Sequence, residues 1–350
     1  MTIIDAHLDL AYNALKGRQV LRPAVEQTPD PDDIPTCGLP DLHAGNVKLI
    51  CATIFAEPNS PKFKGYTNAE EAHTAGWAQL QWYLDREKEG HFKIIRSKSD
   101  LNEILSKPTA PQWVPTVQPS AFAEPKSLPA IILLEGADPL RSPADVAPWF
   151  AAGMRLVGLA WRQTRLAGGT GNPGPLTAEG VALVKALDSF DIIHDTSHLA
   201  EESFWQLLHL TRGPVIASHS NCRAFVPTDR QLSDDMIRAL VQRNGVIGIN
   251  FYDRFLVPPD QKRRATLADV VTHMKHICDL AGSTRHVAIG TDMDGGLGRD
   301  QIPVEITTSA DLPKLADALS DGGFTDTDVT NIMSANWARY FAEYLADGQS

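Results

Sequence analysis

The sequence predicts an α/β protein, a (β/α)8 barrel of the TIM type, formed as a single domain over residues 1–350. Three observations carry that expectation. Short apolar runs alternate with helix-like stretches through most of the chain, the pattern of βαβ units and a parallel sheet. A length of 350 residues suits such a barrel in one piece. Several of the apolar runs end in His, Asp or Glu, the kind of residue that a barrel gathers at the C-terminal face of its strands.

The strand candidates, in order, are TIID (2–5), NVKLICATIFA (46–56), FKIIR (92–96), AIILLEG (130–136), RLVGLAW (155–161), DIIHDTSH (191–198), PVIASHS (214–220), GVIGINFY (245–252) and HVAIGTDMD (286–294). Nine is one more than the barrel needs, so FKIIR is read as an accessory strand. Between them lie helical stretches such as TAEGVALVKALDSF, SDDMIRALVQRNG and LADVVTHMKHICDLAG. Thr177 and Ser233 stand at the N-caps of the first two, each followed closely by acidic residues. The turn-forming composition of Gln19–Pro40 and Lys107–Pro129 reads as surface loops. An open doubly wound nucleotide-binding sheet fits less well. No GxGxxG or GxxxxGK[ST] follows a strand, and GGTGNPGP at 168–175 lacks the lysine.

Composition narrows the function. A hydrophobic content of 43% with 21% charged residues describes an ordinary globular protein with ample core. The net charge of −11 argues against nucleic acid or an anionic membrane as main partner. Cys37, Cys51, Cys222 and Cys278 are far apart with no CxxC pair, the usage of reduced thiols. Neither a signal peptide nor an apolar run of membrane-spanning length is expected, which makes the cytoplasm the default location.

The opening run IIDAHLDL places Asp5, His7 and Asp9 at a spacing of two, on one face of a strand. The other strand ends add Glu135, His198 with His194 before it, His219, and Asp292 with Asp294. Each residue alone has a structural reading: a hydrogen-bonded core histidine, a helix-capping Asp9, a solvated Glu135, turn residues in TDMDGG. Five strands with the same chemistry at the same end favour a metal centre. Its ligands are nitrogen and carboxylate oxygen without sulfur, a set suited to Zn²⁺ or a related ion.

DAHLDL, LLEG, DTSH, ASHSNCRA and IGTDMDG resemble the signatures of the membrane (renal) dipeptidase family of metallopeptidases, within the amidohydrolase superfamily. The resemblance runs from Asp5 to TDTDVTNIMSANWARYF, nearly the whole chain. It implies a zinc-dependent dipeptidase with two divalent metal ions, most often Zn²⁺, at the C-terminal face of the strands. Carried over, His7 and Asp9 bind one ion, His198 and His219 the other, and Glu135 bridges them with a hydroxide between. Asp292 matches the acid/base aspartate, Arg230 the residue that holds the substrate carboxylate, and Tyr252 a segment near that carboxylate. The implied reaction is hydrolysis of dipeptides, including those with a D-residue at the C-terminal position. The alternative is an amidohydrolase for another small amide, such as an N-acyl amino acid or a lactam. The expected partner is a dipeptide, with neither nucleic acid nor membrane, in a homo-oligomer.

One position departs from the family pattern. Where relatives carry an oxyanion-stabilising histidine, this chain has Trp161, followed by Arg162. Trp161 is expected to line the substrate pocket, and Arg162, Arg165 and Asn172 in the loop beyond are further candidate donors. His194 stands where relatives are apolar and is read as a satisfied core histidine.

Overall fold

The computed structural model describes residues 1–29, 33–61, 64–105, 127–162 and 164–347. Among these described residues, nine strands run in chain order: β1 (Ile3–Leu8), β2 (Val47–Phe55), β3 (Phe92–Ile94), β4 (Leu128–Glu135), β5 (Met154–Gly158), β6 (Ile193–Asp195), β7 (Val215–Ile216), β8 (Ile247–Ile249) and β9 (Val287–Ile289). Their order in the sheet is β7-β6-β5-β4-β2-β1-β9-β8, with β3 pairing to β4 outside this path. All pairs are parallel. A bridge between Ala217 and Ile247 joins β7 to β8 and closes the ring. There Ala217 N–H donates to the Val246 carbonyl at 3.1 Å, and Gly248 N–H to that of Ala217 at 2.8 Å. The expected eight-strand barrel is therefore present, and FKIIR is the accessory strand.

Alternation along the strands sorts two apolar layers. Ile132, Leu134, Val157, Val215, Ile247 and Ile289 face outward, against the helices. Leu49, Ile131, Leu133, Leu156, Ile193, Ile216, Val246 and Ala288 fill the barrel. The helix Asn336–Tyr344 brings Trp337, Tyr340 and Phe341 to the same inner cluster. Trp337 is fully buried and its indole N–H donates to the Ile289 carbonyl at 2.8 Å. Aromatic side chains thus floor the barrel, with the polar groups of the hydroxyl and indole satisfied by strand carbonyls.

The helix starts follow the sequence. Thr177 accepts from Gly180 N–H and Ser233 from Met236 N–H, as N-cap side chains do. The loops differ. Of Lys107–Pro129, residues 107–126 lie outside the described residues, and Leu128 and Pro129 already belong to β4. Gln19–Pro40 is not a surface loop throughout: Thr36 and Cys37 are fully buried. The Asp294 carboxylate draws them in, accepting from Thr36 N–H at 2.7 Å, the Thr36 hydroxyl at 2.6 Å and Cys37 N–H at 2.9 Å. Arg18 completes the set at 2.8 Å. Pro-rich composition marks irregular backbone, and a buried carboxylate that satisfies its N–H groups allows such backbone inside.

The floor yields a stability test. Trp337→Ala removes the largest side chain from beneath the strands and leaves a cavity, so unfolding in denaturant should show a loss of about 3–5 kcal/mol. A loss below about 1 kcal/mol would mean that the inner layer does not depend on this helix.

Candidate active site

β1 is irregular where it matters. Its pairing with β2 slips by one residue between Asp5 and Leu8. Ile4 and Ala6 lie in the inner cluster, whereas Leu8 packs outside, on the opposite face to that which strict alternation gives. Such a bulge re-aims a side chain, and here it turns His7 into the mouth of the barrel. Asp5 does not follow it. Its carboxylate accepts Thr291 N–H at 2.9 Å and the Thr291 hydroxyl at 2.5 Å, tying β1 to the end of β9.

Glu135 is the meeting point. Its Oε2 lies 3.5 Å from His7 Nε2, and its Oε1 lies 3.1 Å from His198 Nε2 and 3.4 Å from His219 Nε2. Asp9 Oδ2 and Asp292 Oδ1 stand 3.7 and 3.9 Å from His7 Nε2. The ligand atoms of His7, Asp9 and Glu135 fall within 4.8 Å of one another, as do those of Glu135, His198 and His219. The two sets share Glu135. His7 Nε2 and Asp9 Oδ1 are buried without a hydrogen-bond partner. Orphaned polar atoms of this kind, in a set of imidazole nitrogens and carboxylate oxygens, fit divalent cations.

The charges of these groups respond to one another. Burial draws His7 down, but Glu135, Asp9 and Asp292 outweigh it and hold the imidazole up at about 10. Burial would raise Glu135, yet His7, His198 and His219 hold it well below the usual carboxylate range. Burial pushes Asp9 well up, and Asp292 up to about 7. It lowers His198 to about 4, aided by the positive charge of Arg230. Such crowding of perturbed groups in one cleft is the mark of a functional site, and cations among them would stabilise ionised carboxylates beside neutral imidazoles.

The other predicted residues surround this cluster. Asn250 donates to Asp292 Oδ2 at 2.8 Å and fixes that carboxylate. Arg230 is buried, donating to the Ser220 hydroxyl at 3.0 Å and the His219 carbonyl at 2.5 Å, with its Nε unpartnered. Its guanidinium lies 5.2 Å over the Phe255 ring, and half-buried Tyr252 packs edge-on against the same ring at 4.9 Å. Trp161 is half-buried, its ring 6.2 Å from that of His198 and 5.0 Å from that of Phe55. Arg162 lies over the Trp161 ring at 5.2 Å. Arg165 is committed elsewhere, to Glu179, Asp138 and the Leu140 carbonyl. His194 points outward between the inward Ile193 and Asp195, with Nε2 2.7 Å from Asp188, and takes no part.

Sequence reasoning missed the polar residues behind the cluster. Ser218 touches the Nδ1 atoms of His7 and His219 at 3.2 and 2.8 Å, and donates to Asp195 at 2.5 Å. The Thr170 hydroxyl reaches His198 Nδ1 at 3.0 Å. Asn250 and Asp195 were within reach, because strand parity places each of them inward. Thr170 was not, since it sits on an irregular loop.

Comparison with known proteins agrees with this geometry. The chain is 32% identical over 227 residues to an uncharacterized protein in the pqqA 5′ region of Klebsiella pneumoniae, covering 62% of this chain and 82% of that one. Its fold matches the crystal structure of the dipeptidase AC, a metallopeptidase of family M19, with TM-score 0.80, 24% identity and 99% of each chain covered. It also matches a metallopeptidase from Rhodobacter sphaeroides bound to a phosphinate mimic of L-Ala-D-Ala, with TM-score 0.78, 24% identity and 99% of each chain covered. The signature of the membrane dipeptidase family, peptidase family M19, spans residues 1–347. With that match over a barrel that gathers histidines and carboxylates at its mouth, the chain belongs to the membrane dipeptidase family of metallopeptidases.

Proposed function

We propose that this protein is a dipeptidase that uses two divalent metal ions, Zn²⁺ in the native state, held by His7, Asp9, Glu135, His198 and His219. The observation that carries the reading is Glu135, whose two oxygens face different imidazoles. His7 and Asp9 would hold one ion with Glu135, and His198 and His219 the other. When bound, a pair of such cations supplies an activated water at neutral pH and a Lewis acid for the amide carbonyl. The all-nitrogen and oxygen donor set supports zinc.

The chain's own groups would do the rest. Asp292, anchored by Asn250 through one oxygen, keeps the other free to take a proton from the nucleophile and pass it to the leaving amine. Arg230 would hold the substrate carboxylate, its orientation set by Ser220 and the His219 carbonyl. Tyr252 shares the Phe255 ring with it and would wall the same end. Trp161 would wall the pocket beside His198, where its indole N–H is a donor without a titratable group. The mimic of L-Ala-D-Ala bound to the Rhodobacter sphaeroides protein supports tolerance of a D-residue at the C-terminal position. All four cysteines are unpaired, in keeping with a reducing compartment, and the cytoplasm is the proposed location. Among the described residues, no helix is long and apolar enough to cross a membrane.

The direct test is elemental analysis of the purified protein together with turnover of L,L and L,D dipeptides. About two divalent ions per chain and activity lost to a strong chelator are expected; full activity with one ion or none would refute the proposal. Asp292→Asn should lower kcat by ~10²–10⁴ while metal content is retained, because the amide is isosteric. Unchanged turnover would remove Asp292 from the proton path. Arg230→Ala should cost about 1.5–3 kcal/mol in kcat/KM on dipeptides and much less on C-terminally amidated analogues. Equal losses on both would show that Arg230 does not read the carboxylate.

A further inference from the structure

We infer that Ser218 is a positioning residue shared by both halves of the centre: its single hydroxyl fixes the tautomers of His7 and His219 and thereby governs the affinity for both ions. The inference rests on the two-ion reading above. Ser218 is fully buried on the inward face of the strand, one residue before His219. Four groups surround its Oγ: Asp195 Oδ2 at 2.5 Å, His219 Nδ1 at 2.8 Å, His7 Nδ1 at 3.2 Å and, farther off, Ser197 Oγ at 3.4 Å. The hydroxyl has one proton to give and two lone pairs with which to accept.

Only one assignment satisfies the three shorter contacts. Two oxygens 2.5 Å apart need a proton between them, and the other Asp195 oxygen already accepts Ser197 N–H at 3.0 Å and Ser218 N–H at 2.8 Å. The carboxylate is an acceptor throughout, so the serine proton goes to Asp195. Both lone pairs of Oγ then face imidazoles, and each imidazole must donate its Nδ1–H. The Nε2 atoms of His7 and His219, both on the side of Glu135, are then the nitrogens left to face an ion. Their rings lie side by side, centroids 3.7 Å apart, each leaning on the same hydroxyl. An outer hydrogen bond that fixes the tautomer of a metal-binding histidine is a general device. Here one residue serves a histidine from each set.

The surrounding backbone keeps Ser218 in place. A Cβ on Gly248 or Gly290 would meet the Ser218 carbonyl oxygen at 2.0 or 1.8 Å, so glycine alone lets the middle of β8 and the end of β9 close over it. His7, Asp195 and His219 also fall within 4.8 Å of one another through their ligand atoms. An ion held there would have to displace the serine oxygen. The hydrogen bonds assign that space to Ser218 and make Asp195 its anchor.

Imidazole ¹⁵N–¹H correlation spectra of the metal-free, full-length protein test the assignment without any substitution at the site. Both His7 and His219 should carry a proton on Nδ1; a bare Nδ1 at either overturns the inference. In Ser218→Ala the Nδ1 proton of His219 should no longer be fixed, giving a mixture of tautomers, and chelator competition with Zn²⁺ should show affinity falling about 10–100-fold for both ions. Wild-type affinity, or the loss of one ion alone, counts against a shared role. Asp195→Asn is a sharper probe. The two backbone N–H groups keep the amide oxygen, so the amide NH₂ faces Ser218 and drives its proton onto an imidazole. One histidine should then show a bare Nδ1 with the fold intact, and Nδ1–H at both would overturn the assignment. A protein that binds no divalent ion would refute the two-ion reading, while the metal-free spectra would still judge the tautomers.

Discussion

A buried carboxylate surrounded by three imidazoles organises this molecule. Glu135 is all but removed from water, and nothing in a hydrocarbon-lined barrel would hold its charge there unless positive or donor groups converged on it. Three histidines converge on it from β1, from the turn after β6 and from the end of β7. Because those segments are distant in the chain, the site exists only when the ring of strands is complete. Closure between Ala217 and Ile247 and the bulge in β1 are therefore conditions of the centre as much as features of the fold.

The backbone around the centre is locally unfavourable. His198, Asp292 and Asp294 have φ of 65°, 59° and 65°, in the left-handed region that side chains other than glycine seldom occupy. Conformations of this kind cost roughly 1–3 kcal/mol each and persist where the surroundings over-determine them. The surroundings here are specific: Thr170 on His198, Asn250 on Asp292, and Arg18, Thr36 and Cys37 on Asp294. Two of these residues face the cluster, and the third fastens the adjoining segment of 33–38 over the barrel. The polar residues near the mouth thus offset strain as well as satisfy buried atoms.

Much of this was legible in the sequence, for physical reasons that also mark the limit. Strands in a parallel barrel are buried on both faces, so they stand out as apolar runs, and catalytic groups must follow them at one end. That logic picked out His7, Asp9, Glu135, His198, His219 and Asp292, which the structure brings into one cluster, and set FKIIR aside. It failed where alternation breaks. A strict period of two puts Asp5 with His7, but the slip in β1 separates them, and Asp5 holds β9 instead. Asp294 stands two residues from Asp292, yet its side chain turns to a different segment; no spacing rule shows that a Pro-rich stretch 258 positions away supplies its partners. Ser218 lay inside a quoted motif but had no visible role, because a hydroxyl's role depends on what three distant strands bring to it.

The floor of the barrel sets an order on biogenesis. His7 lies in the first strand, whereas the side chains that seal the interior beneath it, Trp337, Tyr340 and Phe341, lie some 330 positions later. A strand emerging from the ribosome can pair with its successor early, but the inner layer cannot exclude water until this last helix docks. The contacts that complete the structure therefore span nearly the whole chain, a topology in which loop-closure entropy makes folding slow. Until translation passes Phe341, the cluster of histidines and carboxylates stands over an open, hydrated barrel, and the low-dielectric setting its chemistry needs is acquired only when that helix docks.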